Sequence, residues 1–350
     1  MPDEDTIRSA LSSVPYPGFS RDIVSFGIVK GVATEGSKVT VRLALQTKDP
    51  AIPSAIHRSV TEVLESLEGV SEVDLDFDIQ DPPSGPSQAG SDLTGIPGVK
   101  KVIAVASGKG GVGKSTVSAN LAAALSRLPG SPKVGVCDCD LYGPSISLMF
   151  GTDDRPMATP ENEIIPIEKD GLKLMSMGFL LEDTSPVIVR GPLATRYIQQ
   201  FLRQVAWGQL DYLVLDLPPG TGDIQLTIVQ TASLDGAVIV TTPQEVALID
   251  ARKASSMFAK VNVPVLAIIE NMSYFQCPSD GQKYNIFGEG GGEAEANRLN
   301  VPLLGKIPID IATREAGDGG KPIVLSGDEQ NPVKSAFEEV AKALANTLDG

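Results

Sequence analysis

The segment from Gly108 to Thr116 constrains the fold of this chain more than any other, and it reads Gly-Lys-Gly-Gly-Val-Gly-Lys-Ser-Thr. It fits the pattern Gly-x4-Gly-Lys-[Ser/Thr], in which successive backbone N–H groups curve around a polyphosphate. The glycines permit that curvature because a Cβ atom would block it. A buried-strand pattern at 101–106 precedes the segment, and helical spacing at 116–128 follows it. We therefore predict nucleotide contacts from Gly108, Lys109, Gly110, Gly111, Val112, Gly113, Lys114, Ser115 and Thr116.

Two lysines of this segment have different predicted roles. Lys114 stands at the fixed position of the pattern and would reach the β- and γ-phosphates, while the hydroxyl of Ser115 would complete a Mg²⁺ shell. The pattern does not require Lys109, which follows the first glycine of the turn. Lys109 would point towards a nucleotide on a facing subunit and neutralise transition-state charge there, as an arginine finger does. The alternative for Lys109 is a solvated lysine on a loop.

Acidic residues follow two further segments that are predicted to be strands. Asp138 and Asp140 follow the apolar run at 134–137, and their i, i+2 spacing puts both on one side of an extended segment. At the carboxyl edge of a parallel sheet they would face the phosphates, with Asp138 binding Mg²⁺ through water and Asp140 orienting the attacking water. Asp216 follows the apolar run at 212–215 and is the acid expected near the metal.

Two more polar residues follow strand or turn patterns. Asn271 comes after the apolar run at 265–270, and its amide can donate to and accept from the edge of an adenine base. The alternative for Asn271 is a turn-forming role. Asp223 follows a Pro-Pro-Gly-Thr-Gly turn that suits a mobile segment sensing the γ-phosphate. Asp223 either has a function there or is the N-cap of a helix over 224–232.

The charge and cysteine content exclude several classes of partner. The net charge of -15 argues against a surface that binds nucleic acid or anionic lipid. No signal peptide is expected because the first residues are acidic, and no apolar run reaches the length of about 18 residues that a membrane span needs. Three cysteines do not make a disulfide framework in a chain of 350 residues. We therefore expect a cytoplasmic protein with neither nucleic acid nor a membrane as partner.

The order of elements predicts two domains and a linker. Residues 1–80 mix short helices and strands in a small α+β domain, and residues 81–98 are a Pro-, Gly- and Ser-rich linker. From 99 to 350, short apolar strands alternate with helices, which predicts an α/β phosphate-loop domain whose mostly parallel sheet has helices on both faces. Predicted strands cover 23–32, 38–46, 73–79, 101–106, 134–137, 172–175, 212–215, 236–241, 265–270 and 303–307, and predicted helices include 6–14, 54–67 and 332–348.

Taken together, these segments resemble the Mrp-type (ApbC-like) ATPases that carry iron–sulfur clusters. The pair Lys109 and Lys114 resembles the deviant Walker A motif, which the Mrp-type ATPases share with partition and Min-system ATPases. The first 80 residues resemble the small iron–sulfur-assembly domain that often precedes such ATPases. The resemblance spans nearly the whole chain and rests on Gly108–Thr116, Asp138–Ser145, Arg190–Pro192, Trp207–Tyr212, Leu217–Asp223, Glu270–Phe275 and Ile307–Asp310.

The resemblance implies a weak ATPase that uses ATP and Mg²⁺, acts as a homodimer, and moves a [4Fe–4S] cluster from donor scaffolds to apoprotein clients. It also implies nucleotide contact at Pro308. The family holds its cluster with a Cys-x-x-Cys pair from each subunit, whereas this chain reads Cys277-Pro278-Ser279-Asp280. Cys277 is a candidate cluster ligand, but two copies would supply only two thiolates. Asp280 is either an oxygen ligand or a turn residue.

Two alternative functions remain open at this point. The first is an ATPase that assists metal-cofactor assembly without ligating a cluster, which the lone Cys277 favours. The second is a partition- or Min-like positioning ATPase, which the absent basic patch disfavours. The other cysteines, Cys137 and Cys139, are expected to be small apolar fillers beside the acids. Segments 15–17 and 47–53 also depart from the usual pattern of the N-terminal domain.

Overall fold

The structure of this chain is a computed structural model that describes residues 4–14, 23–24, 28–46, 51–67, 69–80, 95–140, 143–159, 163–176, 179, 202–326 and 328–349. The motif residues 141–142 and 190–192, and the N-terminal departures at 15–17 and 47–50, lie outside these described residues. The chain divides into two compact units, Met1–Asp92 and Leu93–Gly350.

The first unit is a three-stranded sheet packed against two helices. Its helices are α1 (Glu4–Leu11) and α2 (Ala51–Glu65), and its strands are β1 (Val29–Glu35), β2 (Lys38–Gln46) and β3 (Glu72–Gln80). The sheet order is β1-β2-β3, with β1 and β2 antiparallel and β2 and β3 parallel. Side chains alternate along a strand, so one face of β2 enters a core that contains Val39, Val41, Leu43, Leu45, Ile56, Val60 and Leu64.

The predicted strand at 23–32 is wrong at Ile23 and Val24. Ile23 and Val24 lie in a turn, and the strand begins only at Val29. Ile23 is fully buried, and its carbonyl oxygen accepts a hydrogen bond from the N–H of Ile28 at 3.1 Å. The apolar pattern there reflects burial in the core and not strand pairing.

The second unit is built on an eight-stranded sheet. Its strands are β4 (Val99–Ala106), β5 (Val134–Asp138), β6 (Ile167–Lys169), β7 (Leu172–Ser176), β8 (Leu210–Asp216), β9 (Gly236–Thr241), β10 (Val265–Glu270) and β13 (Leu303–Lys306), and a separate hairpin contains β11 (Phe275–Gln276) and β12 (Lys283–Tyr284). The order is β13-β10-β9-β4-β8-β5-β7-β6, and the pairings are parallel except that of β6 with β7. The predicted mostly parallel sheet is confirmed. Strands β6, β11 and β12 were not predicted, because two or three residues carry no readable periodicity.

Helices cover both faces of this sheet. Those whose bounds lie within the described residues include α3 (Lys114–Ser126), α4 (Ile146–Met149), α5 (Asp223–Thr231), α6 (Glu245–Lys260), α7 (Gly291–Leu299), α8 (Ile311–Asp318), α9 (Ile323–Ser326) and α10 (Pro332–Asp349). The successive residues Ile268 and Ile269 of β10 belong to different core clusters, as residues on opposite faces must. Phe337 of α10 packs in the cluster of Ile269, and Ala296 of α7 packs in that of Ile268. Continuous apolar strands therefore fit burial on both sides.

The carboxyl ends of neighbouring strands bring the predicted polar residues to one edge of the sheet. Strand β4 leads into the glycine-rich turn before α3, β5 ends at Asp138, β8 ends at Asp216, and Asn271 follows β10. Of the two interpretations left open for Asp223, the N-cap role is wrong, because α5 begins at Asp223 and Gly222 is the cap residue. Among the described helices, none is both long and apolar enough to pass through a lipid bilayer.

Candidate nucleotide site

The turn between β4 and α3, which we call the phosphate loop (Gly108–Thr116), needs glycine for packing as well as for curvature. Gly113 has φ 77°, in the left-handed region, and a Cβ there would collide with the side-chain nitrogen of Asn271. A Cβ on Gly108 would collide with the backbone carbonyl of Asp250 in α6. The loop is therefore held between the end of β10 and helix α6.

Lys114 forms a buried ion pair with Asp216 across the floor of the phosphate loop. The Lys114 Nζ atom lies 2.6 Å from Asp216 Oδ1, and the exposed fractions of the two side chains are 7% and 0%. Ser115 Oγ donates to Asp216 Oδ2 at 2.6 Å, and Ser118 Oγ donates to Asp216 Oδ1 at 2.6 Å. Sequence reasoning missed Ser118, although its position one helical turn after Lys114 puts both on the face of α3 that meets β8.

The carboxyl group of Asp138 accepts hydrogen bonds from the backbone that follows β5. Its Oδ1 accepts a hydrogen bond from the N–H of Asp140 at 3.0 Å, and its Oδ2 accepts from the N–H of Ser145 at 2.9 Å, the N–H of Ile146 at 3.1 Å and the hydroxyl of Ser176 at 3.1 Å. Burial, together with the nearby charge of Asp216, raises the pKa of Asp138 to about 6, although the backbone hydrogen bonds oppose the shift.

A cavity of about 330 Å³ opens above this cluster. Asp140 lies on its wall, and Asp140 Oδ1 accepts a hydrogen bond from the N–H of Gly143 at 3.2 Å. Lys109 is half-buried and lines the same cavity. The hydroxyl of Ser145, which sequence reasoning also missed, is buried and has no hydrogen-bond partner among the described residues. The remaining lining residues are Ser107, Gly110, Gly111, Gly113, Lys114, Ser115, Thr116, Met149 and Pro219.

A second cavity of about 290 Å³ shares Gly113, Thr116 and Met149 with the first. Asn271 and Pro308 both line it, so the structure brings these two predicted residues together beside the phosphate loop. The side-chain Nδ2 of Asn271 donates to the carbonyl oxygen of Val112 at 2.8 Å. That contact orients the amide and leaves its oxygen, Oδ1, as an acceptor.

Comparison with known proteins decides the family. A family model described as a NUBPL iron-transfer P-loop NTPase matches residues 98–345. The chain belongs to this family. A second model, described as an iron-sulfur cluster assembly protein, matches residues 4–75. The predicted resemblance, the α/β phosphate-loop fold, the ATPase assignment and the link to iron–sulfur transfer are thereby confirmed.

Individual relatives of this P-loop NTPase cover most of its length. An iron-sulfur cluster carrier protein from Deinococcus radiodurans is 42% identical over 347 residues, which are 99% of this chain and 95% of the relative. The iron-sulfur cluster transfer protein NUBPL from Mus musculus is 49% identical over 253 residues, 72% of this chain and 79% of the relative. A nucleotide-binding protein from Archaeoglobus fulgidus, solved in complex with ADP, has a TM-score of 0.59 and 40% identity and covers 68% of this chain and 92% of its own.

Cys277 of this P-loop NTPase lies outside both cavities, in the hairpin formed by β11 and β12. Its N–H donates to the carbonyl oxygen of Gln282 at 2.9 Å, and its Sγ lies 3.0 Å from the hydroxyl of Ser279. Asp280 accepts hydrogen bonds from the N–H of Gln282 at 2.9 Å and from the hydroxyl of Tyr284 at 2.8 Å, and these bonds lower the pKa of Asp280. Asp280 thus closes the hairpin turn.

The other two cysteines are in the interior. The sulfur atoms of Cys137 and Cys139 lie 3.8 Å apart, and both residues are buried. Burial raises the pKa of Cys137 well above its usual value, which disfavours a thiolate. In the part of the chain that the structure describes, no three His, Cys, Asp or Glu side chains converge as a metal site.

Proposed function

We propose that this chain binds and slowly hydrolyses ATP with Mg²⁺ and uses that cycle to carry iron–sulfur clusters from donor scaffolds to apoprotein clients, as a cytoplasmic homodimer. The observation that carries the proposal is the buried pair of Lys114 and Asp216 beneath a cavity lined by the phosphate loop, in a member of an iron-transfer family. We also propose the domain division 1–80, 81–98 and 99–350, which the matches to residues 4–75 and 98–345 support.

The residues around Asp216 suit a triphosphate and its magnesium ion. Mg²⁺ prefers oxygen ligands, and Ser115 and Asp216 offer them side by side at 2.6 Å. Asp138 would act on the metal through water, because the bonds from Asp140, Ser145 and other groups already occupy its own oxygens. When bound, Mg²⁺ would offset charge on the phosphate oxygens. An incoming phosphate would draw Lys114 away from Asp216 and free that carboxyl group for the metal.

Hydrolysis would depend on two residues of the phosphate cavity. Asp140 would orient the attacking water, as its place on the cavity wall allows. Lys109 would neutralise transition-state charge at the site of the facing subunit. Ser145 lines the same cavity, and its buried hydroxyl has no hydrogen-bond partner in the described part of the chain.

The base would occupy the second cavity. The hydrogen bond from Nδ2 to Val112 orients the Asn271 amide, which would offer its Oδ1 to the base as an acceptor. Adenine presents an exocyclic amino group, a donor, where guanine presents a carbonyl oxygen. The arrangement therefore favours adenine, with Pro308 at the wall of the same cavity.

The iron–sulfur cluster would be cargo held between two copies. Cys277 is half-buried in a surface hairpin, and two copies would contribute two thiolates. A second candidate function follows from the same observation, since no complete ligand set converges among the described residues of one chain. In that case the ATPase would assist cluster assembly and leave ligation to its partners.

Anaerobic reconstitution tests the two functions. The full chain is incubated with iron and sulfide, and bound iron, bound sulfide and the cluster absorbance are measured per dimer. A carrier would hold a cluster that Cys277→Ser abolishes and that Ser279→Ala, two residues away, preserves. Absence of a cluster in a preparation that hydrolyses ATP would leave the accessory function, and absence of both would contradict the proposal as a whole.

A further inference from the structure

One buried side chain is hydrogen-bonded near both ends of the loop that carries Cys277, which connects β10 to α7 (residues 271–290). Glu270 is the last residue of β10, and its exposed fraction is 1%. Its Oε1 accepts a hydrogen bond from the hydroxyl of Ser273 at 2.5 Å, near the start of the loop. Its Oε2 accepts from the backbone N–H of Gly292 at 2.5 Å, where the loop ends in α7. A Cβ on Gly292 would lie 2.7 Å from Oε2, so this approach requires glycine.

The next residue connects the same strand end to the nucleotide site. Asn271 donates through Nδ2 to the carbonyl oxygen of Val112 in the phosphate loop at 2.8 Å. Its backbone N–H donates to the carbonyl oxygen of Thr241 at the end of β9, also at 2.8 Å. Two consecutive side chains therefore hold the phosphate loop and the base of the Cys277 hairpin to one strand end.

We propose that Glu270 is the positioning residue for the Cys277 hairpin. Through Glu270, nucleotide binding at the phosphate loop changes the position and reactivity of the Cys277 thiol. A nucleotide that fills the cavity beside Asn271 shifts the phosphate loop and with it the end of β10. Because Glu270 is hydrogen-bonded to both ends of the loop, the hairpin moves together with the end of β10. The inference rests on the proposed function in one respect, namely that Cys277 is the residue that handles cargo.

Substitutions at Glu270 separate this role from general packing. Methionine has a similar length but accepts no hydrogen bond comparable to that of a carboxyl oxygen, so Glu270→Met releases Ser273 and the N–H of Gly292 together. Glutamine keeps both contacts, since its oxygen accepts from Gly292 and its amide nitrogen donates to the hydroxyl of Ser273. Glu270→Gln is therefore the conservative variant that restores the link. Ser273→Ala is a milder change that removes one of the two contacts.

The test measures the rate at which a soluble thiol reagent labels Cys277 in the full chain without iron or sulfide. Cys137 and Cys139 are buried and serve as the unreactive background. A non-hydrolysable ATP analogue with Mg²⁺ should change the labelling rate of the unsubstituted chain and of Glu270→Gln about fivefold or more. The change should be absent in Glu270→Met. Glu289→Gln, in the same loop but exposed and bonded to Asn285, is the matched control and should behave as the unsubstituted chain.

Binding of the analogue is measured in parallel, because it reports whether each variant folds. A nucleotide effect that persists in a folded Glu270→Met protein, or that is missing from the unsubstituted chain, would overturn the inference. If Glu270→Met does not fold, the comparison passes to Ser273→Ala, whose nucleotide effect should shrink and whose unchanged effect would equally overturn it. The readout involves no cluster, so its failure is distinct from a failure of cluster binding.

Discussion

Asp138 and Asp216 face each other in register on the parallel strands β5 and β8, at the edge of the sheet where the phosphate loop begins. Asp216 has a buried cation, Lys114, at 2.6 Å, whereas Asp138 is surrounded by backbone N–H groups and a serine hydroxyl. Two adjacent carboxyl groups thus have different environments. Under the proposed function, Asp216 would exchange Lys114 for a metal ion. Asp138 holds the backbone that carries Asp140.

Substituting Lys114 should affect both catalysis and folding. Lys114→Ala removes the charge that would contact the phosphates, so we expect ATP turnover to fall about 100-fold or more. It also leaves Asp216 buried without its cation, which should reduce the free energy of unfolding by about 3 kcal/mol. A coupled phosphate-release assay and urea denaturation monitor the two effects. Unchanged turnover would refute the assignment of the site.

The Asp138 carboxyl group makes stability depend on pH in a defined direction. Its pKa rises from 3.8 to about 6 on folding, so the folded chain binds the proton more tightly than the unfolded chain does. The protonated Asp138 therefore contributes about 3 kcal/mol to the free energy of unfolding below about pH 4. This contribution is lost as the pH rises to about 6.

The matching measurement is urea denaturation of the unsubstituted chain and of Asp138→Asn at several pH values from 4 to 7. The free energy of unfolding of the unsubstituted chain should fall relative to that of the variant as pH rises across this window, since asparagine does not titrate there. Parallel pH profiles of the two proteins would contradict the raised pKa of Asp138.

The sequence predicted the parts of this site that depend on local pattern. Apolar runs predict the strands of the large sheet. Because parallel strands end at one edge, the sequence also groups Asp138, Asp216 and Asn271 with the phosphate loop. Strand β8 extends beyond its predicted range, from Leu210 to Asp216. Such ends depend on pairing partners that periodicity does not reveal.

The sequence could not predict contacts that depend on packing between distant segments. Lys114 is bonded to Asp216, 102 positions later in the chain, and Ser118 joins them. The pattern of a phosphate loop predicts that Lys114 contacts phosphate, and it does not predict the ion pair of Lys114 with Asp216. The sequence likewise does not predict the hydrogen bonds of Glu270 with Ser273 and Gly292, because a glutamate after an apolar run has no distinct signature.

Gly113 should tolerate no side chain, whereas the nearby Gly110 should. In Gly113→Ala, the methyl group meets Asn271 and the left-handed backbone is strained, so we expect a loss of about 2 kcal/mol in the free energy of unfolding and weaker nucleotide binding. A Cβ on Gly110 meets no protein atom within 4 Å, so Gly110→Ala is the matched control for the free energy of unfolding. Thermal denaturation compares the two variants, and equal losses would mean that general loop flexibility, not the contact with Asn271, matters.

Mixing two inactive variants tests whether Lys109 acts on the facing subunit. Lys109→Ala should leave ATP binding intact and reduce turnover, because its role lies in the transition state and not in the ground state. In a mixed dimer with Lys114→Ala, the site of the Lys109→Ala chain, which keeps Lys114, would receive Lys109 from the other chain. Turnover should therefore exceed that of either variant alone when the two are combined. If the mixture has only the average activity of its components, Lys109 acts within its own chain, since each mixed dimer would then contain one defect in each site.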